Sequence, residues 1–201
     1  MGDRLNMVID KAGTKGAPMV EVSAQYLLNC VPGQDHCGYP GSAGAAMSYV
    51  IEHGVPDESC APWQNAWPEG PRPYGVQTCD ALHICAQMMI DPKTGKPAEF
   101  KNHTMHLQPV KDPRMYRIES NTVVPPNNTA AIMEALQTGP VPCGIHAQPL
   151  ANYTKGIVTD PDGGRTSDDH SVAIVGWGDE AGTPYWTIQN NWGAARNLCF
   201  H

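Results

Sequence analysis

The sequence predicts an α+β fold in which a helical lobe precedes a β-rich lobe. Two observations carry this prediction: apolar residues recur at helical spacing before residue 60, and short apolar runs typical of strands follow residue 140. A chain of 201 residues is long enough to bury a core as one domain. We therefore expect one domain over 1–201, with a helical lobe and its loops in 1–128 and a β-rich lobe in 129–201.

Three helices are predicted before residue 60. Ser23 and Ser42 stand at the N-cap positions of the second and third, and Gly54 ends the third. The apolar faces are formed by Leu5 and Val8, by Tyr26, Leu27 and Cys30, and by Met47, Val50 and Ile51.

Residues 61–128 are rich in proline and turn residues, so we expect long loops held by disulfides. Asn128 or Thr129 then caps a short helix that Gly139 and Pro140 close. Strands are predicted at 141–146, 157–159, 172–177 and 185–189.

Composition excludes some partners and indicates a compartment. Thirteen basic against twenty acidic residues give a net charge of -7, which disfavours nucleic acid, and no apolar run is long enough to span a membrane. Seven cysteines and three sequons, at Asn102, Asn127 and Asn152, favour an oxidising route and glycosylation. The first residues lack the order of a secretory signal, so we expect the true N-terminus to lie upstream.

His170 and Asn190 are the candidates for chemistry. Each stands at one end of a predicted strand, and two adjacent antiparallel strands would place them side by side. An amide oxygen that accepts the imidazole N–H fixes the tautomer and orientation of the ring, and the indole of Trp192 would shield that bond from water. Such a histidine activates a nucleophile, and a cysteine beside it becomes a thiolate.

Five segments carry a resemblance to the papain-like cysteine proteases, most closely to their cathepsin X (cathepsin Z) branch. They are VSAQYLLNC (22–30), HGVPDESC (53–60), GPVPCGIHAQPLANYTKGI (139–157), DDHSVAIVGWG (168–178) and YWTIQNNWG (185–193). The resemblance implies the papain-like two-lobe fold, with a helical left lobe and an antiparallel β-barrel-like right lobe. It also implies that His170 is the catalytic histidine, Asn190 its orienting residue and Trp192 the shielding indole.

The chain departs from the family pattern at both ends. The Cys-Gly-Ser-Cys-Trp motif of the family, which contains the nucleophile, is absent and would precede Met1; the pattern also stops after Gly193. We therefore expect a fold that is incomplete at both ends, from a lysosomal, vacuolar or secreted cysteine-type peptidase, possessing carboxypeptidase action if the cathepsin X likeness holds. Its partner would be a peptide or protein substrate, without a metal or other cofactor, and its oligomeric state stays open. The alternative is a catalytically silent papain-like module that binds proteins.

The resemblance also implies a disulfide pattern. Cys79 and Cys85 match a local loop of the cathepsin X branch, and the family partners of Cys30 and Cys60 are both replaced. We therefore expect the pair Cys79–Cys85 and, as a hypothesis, the pair Cys30–Cys60. Cys199 is a candidate partner for Cys143, and Cys37 is expected to be unpaired because its family partner lies in the absent motif.

Other positions have weaker interpretations. Gly38, Gly41 and His146 match places where the family lines its substrate cleft, although a packed strand position explains His146 equally well. A zinc site would need ligands from a group that is close in sequence: Cys79, His83, Cys85, His103 and His106. Their spacing fits no standard zinc finger, so we interpret these histidines as surface residues.

Overall fold

The computed structural model describes residues 1–13, 19–32, 41–63, 78–95, 107–159 and 168–192, and the backbone of 199–200. The chain forms two compact units: a disulfide unit, Val20–Asn121, and a sheet unit made of Met1–Met19 and Thr122–His201. The first helix groups with the β-rich part, not with the residues predicted to form the helical lobe. The division of the chain at residue 128 stays a prediction.

In the disulfide unit, the described residues form three helices and a two-stranded antiparallel sheet. The elements are α2 Ala24–Cys30, α3 Ala43–His53, α4 Ala81–Ile84, β1 Ala86–Met88 and β2 Leu107–Pro109. The side chain of Ser23 accepts the N–H of Tyr26 at 2.9 Å, and that of Ser42 accepts the N–H of Ala45 at 3.3 Å. Gly54 ends α3 with a φ of 81°. Both predicted caps and the predicted end of α3 are confirmed.

Three elements lie in the region that was predicted to consist of loops: one helix and two strands. Helix α4 has four residues, too few to show a helical period, and it forms because the Asp80 carboxylate accepts the N–H groups of Leu82 and His83. Strands β1 and β2 have three residues each, too few to show an alternating pattern.

The disulfides are Cys30–Cys79 and Cys60–Cys85, so both predicted pairings were wrong. The reason is α4, which stands between Cys79 and Cys85 and places them at its opposite ends. Cys79 therefore reaches the end of α2, where Cys30 is the last residue. Cys85 reaches Cys60 in the turn after α3.

Within the part of the sheet unit that the structure describes, there are two α-helices, a short 3₁₀ helix and a four-stranded antiparallel sheet of order β3-β4-β5-β6. The elements are α1 Gly2–Lys11, α5 Thr129–Leu136, β3 Val141–Ile145, the 3₁₀ helix Gln148–Leu150, β4 His170–Glu180, β5 Thr183–Gln189 and β6 Cys199–Phe200. Asn128 is the N-cap of α5, as predicted. Val172 and Ile174 alternate along β4 and are both buried. The predicted strand at 157–159 is wrong: it is irregular, and no described strand pairs with it.

Strands β4 and β5 form a hairpin with one irregularity. Their register shifts between Ile174 and Gly176, which leaves Val175 as the extra residue of a β-bulge. Gly178 lies opposite Tyr185, and a Cβ at Gly178 would overlap the phenol oxygen. Glycine is therefore needed there for the ring to pack across the strand.

The proposed pair Cys143–Cys199 is also wrong. Cys143 is on β3 and Cys199 on β6, at opposite edges of the sheet, and Cys143 is a free thiol. Three strand spacings of about 4.8 Å separate the edges, far more than a disulfide spans.

Arg4 explains why α1 belongs to the sheet unit. Its guanidinium donates hydrogen bonds to the carbonyls of Pro140 and Gly139, both at 2.9 Å, and to the Thr138 hydroxyl at 2.7 Å. These groups follow the end of α5, where carbonyls have no partner within the helix. Arg4 thus ties α1 to the segment that enters β3.

Among the described residues, no helix is long and apolar enough to cross a membrane.

Candidate active site

His170 and Asn190 lie within hydrogen-bond distance, as predicted. His170 is the first residue of β4 and Asn190 follows the last residue of β5, and the imidazole Nε2 is 2.7 Å from the amide Oδ1. The strand register produces this contact. Ala173 pairs with Gln189, and continuing the pairing by three residues places His170 opposite Trp192, with Asn190 diagonal to it.

The hydrogen bonds fix which nitrogen of His170 holds the proton. The backbone N–H of Asn191 donates to Oδ1 of Asn190 at 2.8 Å, so this atom of the amide must be the oxygen. A carbonyl oxygen only accepts, so Nε2 of His170 must be the donor in the 2.7 Å contact. In the neutral ring Nδ1 is then unprotonated and can accept a proton from another group.

Trp192 packs against the ring of His170. The two ring centroids are 5.0 Å apart, with the planes inclined at 31°. This contact confirms that the indole lies against the imidazole, as predicted. The Asn190 side chain is held by its oxygen alone, because its buried Nδ2 has no hydrogen-bond partner among the described residues.

No cysteine whose side chain the structure describes has the features of a nucleophile. Cys30, Cys60, Cys79 and Cys85 are in disulfides. Burial, with a smaller contribution from the negative charge of Asp168, raises the pKa of the Cys143 thiol to about 11. A catalytic thiol needs the opposite shift. Cys37 lies outside the described residues.

A second histidine lies beside the site, and its acidic partner was not predicted. His146 follows β3, and its Nδ1 is 3.5 Å from Oδ2 of Asp169, the residue before His170. The other oxygen of Asp169 accepts the N–H of Ala147 at 2.7 Å. The sequence contains both residues, but only the β3–β4 register brings them together.

The remaining predicted positions fall in three groups. Asn127 and Asn152 are exposed, so their glycosylation stays a prediction, and Gly41 is exposed just before α3. His83 contacts the Asp80 carboxylate at 2.9 Å, and the disulfides of Cys79 and Cys85 remove both thiols as zinc ligands. The third group lies outside the described residues and comprises Gly38, Asn102, His103 and His106.

An imidazole oriented by an amide and covered by an indole, on adjacent antiparallel strands, is the arrangement that orients a general base in nucleophilic hydrolases. Comparison with known proteins gives the family. Residues 6–197 match the profile described as papain family cysteine protease, and the chain belongs to that family.

Three similar proteins show the extent of the match. A 69-residue stretch, 33% of the chain, is 45% identical to cathepsin B-like cysteine proteinase 3 of Ostertagia ostertagi, covering 39% of that protein. Over 194 residues, 89% of the chain, it is 26% identical to cathepsin B-like cysteine proteinase 1 of the same organism, covering 51% of it. In structure it is similar to the proform of Amb a 11, a cysteine protease and ragweed pollen allergen, with a TM-score of 0.63 and 25% identity over 93% of this chain and 40% of that one. The chain thus spans about two fifths to one half of these relatives, and its fold is papain-like.

Proposed function

We propose that this chain is the histidine- and asparagine-bearing part of a cysteine-type peptidase that hydrolyses peptide bonds. The observation that supports the proposal best is the 2.7 Å contact between His170 Nε2 and Asn190 Oδ1, which leaves Nδ1 of the ring able to accept a proton. The nucleophilic cysteine of the proposed unit lies in sequence upstream of Met1, as the family motif implies.

The proposed reaction assigns each group one task. Nδ1 of His170 takes the thiol proton, and the thiolate sulfur attacks the substrate carbonyl carbon. When the C–N bond breaks, the imidazolium returns that proton to the leaving amine, and a thioester remains. Water, deprotonated by the same nitrogen, then attacks the thioester and releases the carboxylic acid and the thiol. Asn190 keeps the ring in one orientation throughout.

A finer assignment to the cathepsin X branch rests on the five sequence segments. It would make the protein a carboxypeptidase that trims peptide C-termini. The sequons and cysteines support a glycoprotein of the lysosome, the vacuole or the secreted fraction. The net charge of -7 favours a peptide or protein partner over nucleic acid.

The second candidate is a papain-like module that binds proteins without cleaving them. It applies where the longer protein lacks the nucleophilic cysteine, because the only free thiol among the described side chains, Cys143, has a pKa raised to about 11 and cannot replace it.

The sequence of the transcript upstream of Met1 separates the two candidates. A Cys-Gly-Ser-Cys-Trp segment there supports the peptidase, and a replaced cysteine supports the binding module. The protein encoded by the longer transcript should hydrolyse peptides. His170→Ala should lower its kcat/KM about 10²–10⁴-fold, the usual contribution of a general base. Asn190→Ala should lower it less, because the amide transfers no proton. His53→Ala, in the disulfide unit, is the matched control, and an equal loss for His53→Ala and His170→Ala would contradict the assignment.

A further inference from the structure

We infer that Asp168 is a specificity-determining residue of the proposed peptidase, and that its carboxylate binds a lysine or arginine side chain of the substrate close to His170. The inference rests on the proposed function, because it names the substrate class of that same site. It concerns a carboxylate to which the proposed reaction gives no task.

The Asp168 carboxylate lies over a strand residue that has no side chain. This residue is Gly144 on β3, and a Cβ at that position would lie 2.7 Å from Oδ2 of Asp168. The carboxylate thus occupies space that any other residue at position 144 would fill with its own side chain. Asp168 is exposed, so its carboxylate stays open to a ligand from solvent.

The pairing of β3 with β4 places this carboxylate beside the first residues of β4. Gly144 pairs with Ser171, and the neighbouring pair is Ile145 with His170. Successive residues of a strand are about 3.3 Å apart and point to opposite faces of the sheet. A substrate whose carbonyl reaches His170 therefore lies across the end of the strand pair, and only a long side chain extends from there to the face on which Gly144 lies.

No cation in the described part of the sheet neutralises the charge of Asp168. Strands β3, β4 and β5 contain no lysine or arginine, and the ion pairs of the described residues do not include this carboxylate. The charge acts on a neighbour: burial first, and the negative charge of Asp168 second, raise the pKa of the Cys143 thiol. An exposed carboxylate without a partner attracts a cationic side chain, and the net charge of -7 favours the approach of basic peptides.

Asp169, one residue later, shows the contrast with a carboxylate that the fold itself uses. Its Oδ1 accepts the N–H of Ala147 at 2.7 Å, and its Oδ2 lies 3.5 Å from Nδ1 of His146. Asp168 makes no hydrogen bond or ion pair with any residue that the structure describes. Its carboxylate therefore does not hold this segment in place, and it is free to bind a substrate side chain.

Pairs of peptides with arginine or citrulline test the inference in the protein encoded by the longer transcript. Citrulline has nearly the shape of arginine without its charge, so the ratio of the two kcat/KM values measures the charge interaction. When the arginine is moved along the peptide, one position should show a ratio of about 5–50, the range between an exposed ion pair and a charge-assisted hydrogen bond. Asp168→Asn should bring that ratio near 1, and Asp168→Lys should bring it below 1.

Two further variants make the test specific. Gly144→Ala places a methyl group against the carboxylate and should lower the ratio, but less than Asp168→Asn does. Asp179→Asn removes the same charge near the other end of β4 and should leave the ratio unchanged. A ratio near 1 at every position in the unaltered protein, or an equal fall in Asp168→Asn and Asp179→Asn, would overturn the inference. Because the ratio compares two substrates of one enzyme, a loss of folded protein does not change it.

A binding measurement separates this inference from the proposed function. NMR spectra of the 201-residue chain follow the backbone N–H signals of Gly144 and Ser171 while the same peptides are added. The arginine peptide should shift these signals at a lower concentration than the citrulline peptide, and Asp168→Asn should abolish the difference. Failure of the longer protein to cleave any peptide would overturn the proposed function alone. Equal titration curves for the two peptides would overturn the inference.

Discussion

The disulfide unit and the sheet unit are stabilised in different ways. The described part of Val20–Asn121 has helices of 4 to 11 residues but strands of only three, and two disulfides join its segments. The sheet unit has strands of up to eleven residues, and its described cysteine side chain is a free thiol. The candidate site lies in the second unit because backbone ladders place side chains in a fixed register. In the disulfide unit, covalent bonds take the place of such regular strand pairing.

The largest loss in the free energy of unfolding should come from breaking a disulfide. Cys60→Ser with Cys85→Ser opens a loop of sequence separation 25, and Cys30→Ser with Cys79→Ser one of 49. Each pair should lower the free energy of unfolding by about 3–4 kcal/mol, with the longer loop costing slightly more. Urea unfolding gives the size, and hydrogen exchange gives the location. Faster exchange confined to β4 and β5 would show that the two units do not differ as described.

A smaller loss in the free energy of unfolding is expected for Arg4→Ala. The guanidinium satisfies several part-buried carbonyls, so its removal should cost about 1–3 kcal/mol and speed exchange at α5 and β3. Arg4→Lys, which keeps the charge without the planar fork, should recover only part of it. Gly139→Ala should act similarly, because its Cβ would lie 2.5 Å from Cγ of Arg4. If hydrogen exchange changed in α2 or α3 instead, α1 would belong to the disulfide unit.

The Cys143 thiol should react slowly with iodoacetamide. Burial raises its pKa from 9.0 to about 11, so the thiolate fraction at pH 8 is about 100-fold lower than for an unperturbed thiol. Because the raised pKa favours the neutral thiol, this contribution to stability is full below pH 9 and is lost as the pH rises through 11. Mass spectrometry of the labelled peptide measures the rate in native and urea-unfolded chain. Equal rates in the two states would show that Cys143 is not protected.

The smallest effect should be a loss of stability at acid pH, and it should arise at α4. A hydrogen bond from the Thr78 hydroxyl, followed by the N–H of His83, lowers the pKa of Asp80 from 3.8 to about 2. A lowered carboxyl pKa stabilises the folded state above pH 3.8, and the gain is lost as the pH falls from 3.8 to 2. Carboxyl NMR should show the Asp80 pKa rising in Thr78→Ala. An Asp80 pKa that stays at about 2 in Thr78→Ala would contradict the local cause.

Local chemistry made part of this molecule predictable. Ser23, Ser42 and Asn128 cap helices through their own side chains, and His170 and Asn190 are adjacent because both predicted strands exist. The predicted cysteine pairs of the disulfide unit were wrong because the pairing depends on α4, and this helix is too short to show a helical period in the sequence.

The contact of His146 with Asp169 could not be predicted from the sequence for a related reason. It depends on the β3–β4 register, which no local pattern of residues specifies.

The protonation state of His170 tests the central claim most directly. In ¹⁵N-detected NMR spectra of the 201-residue chain with this ring neutral, we expect the proton on Nε2 and an unprotonated Nδ1. We also expect a mixture of the two tautomers in Asn190→Ala. A ring with its proton on Nδ1, unchanged by Asn190→Ala, would contradict the claim that Asn190 prepares His170 to accept a proton.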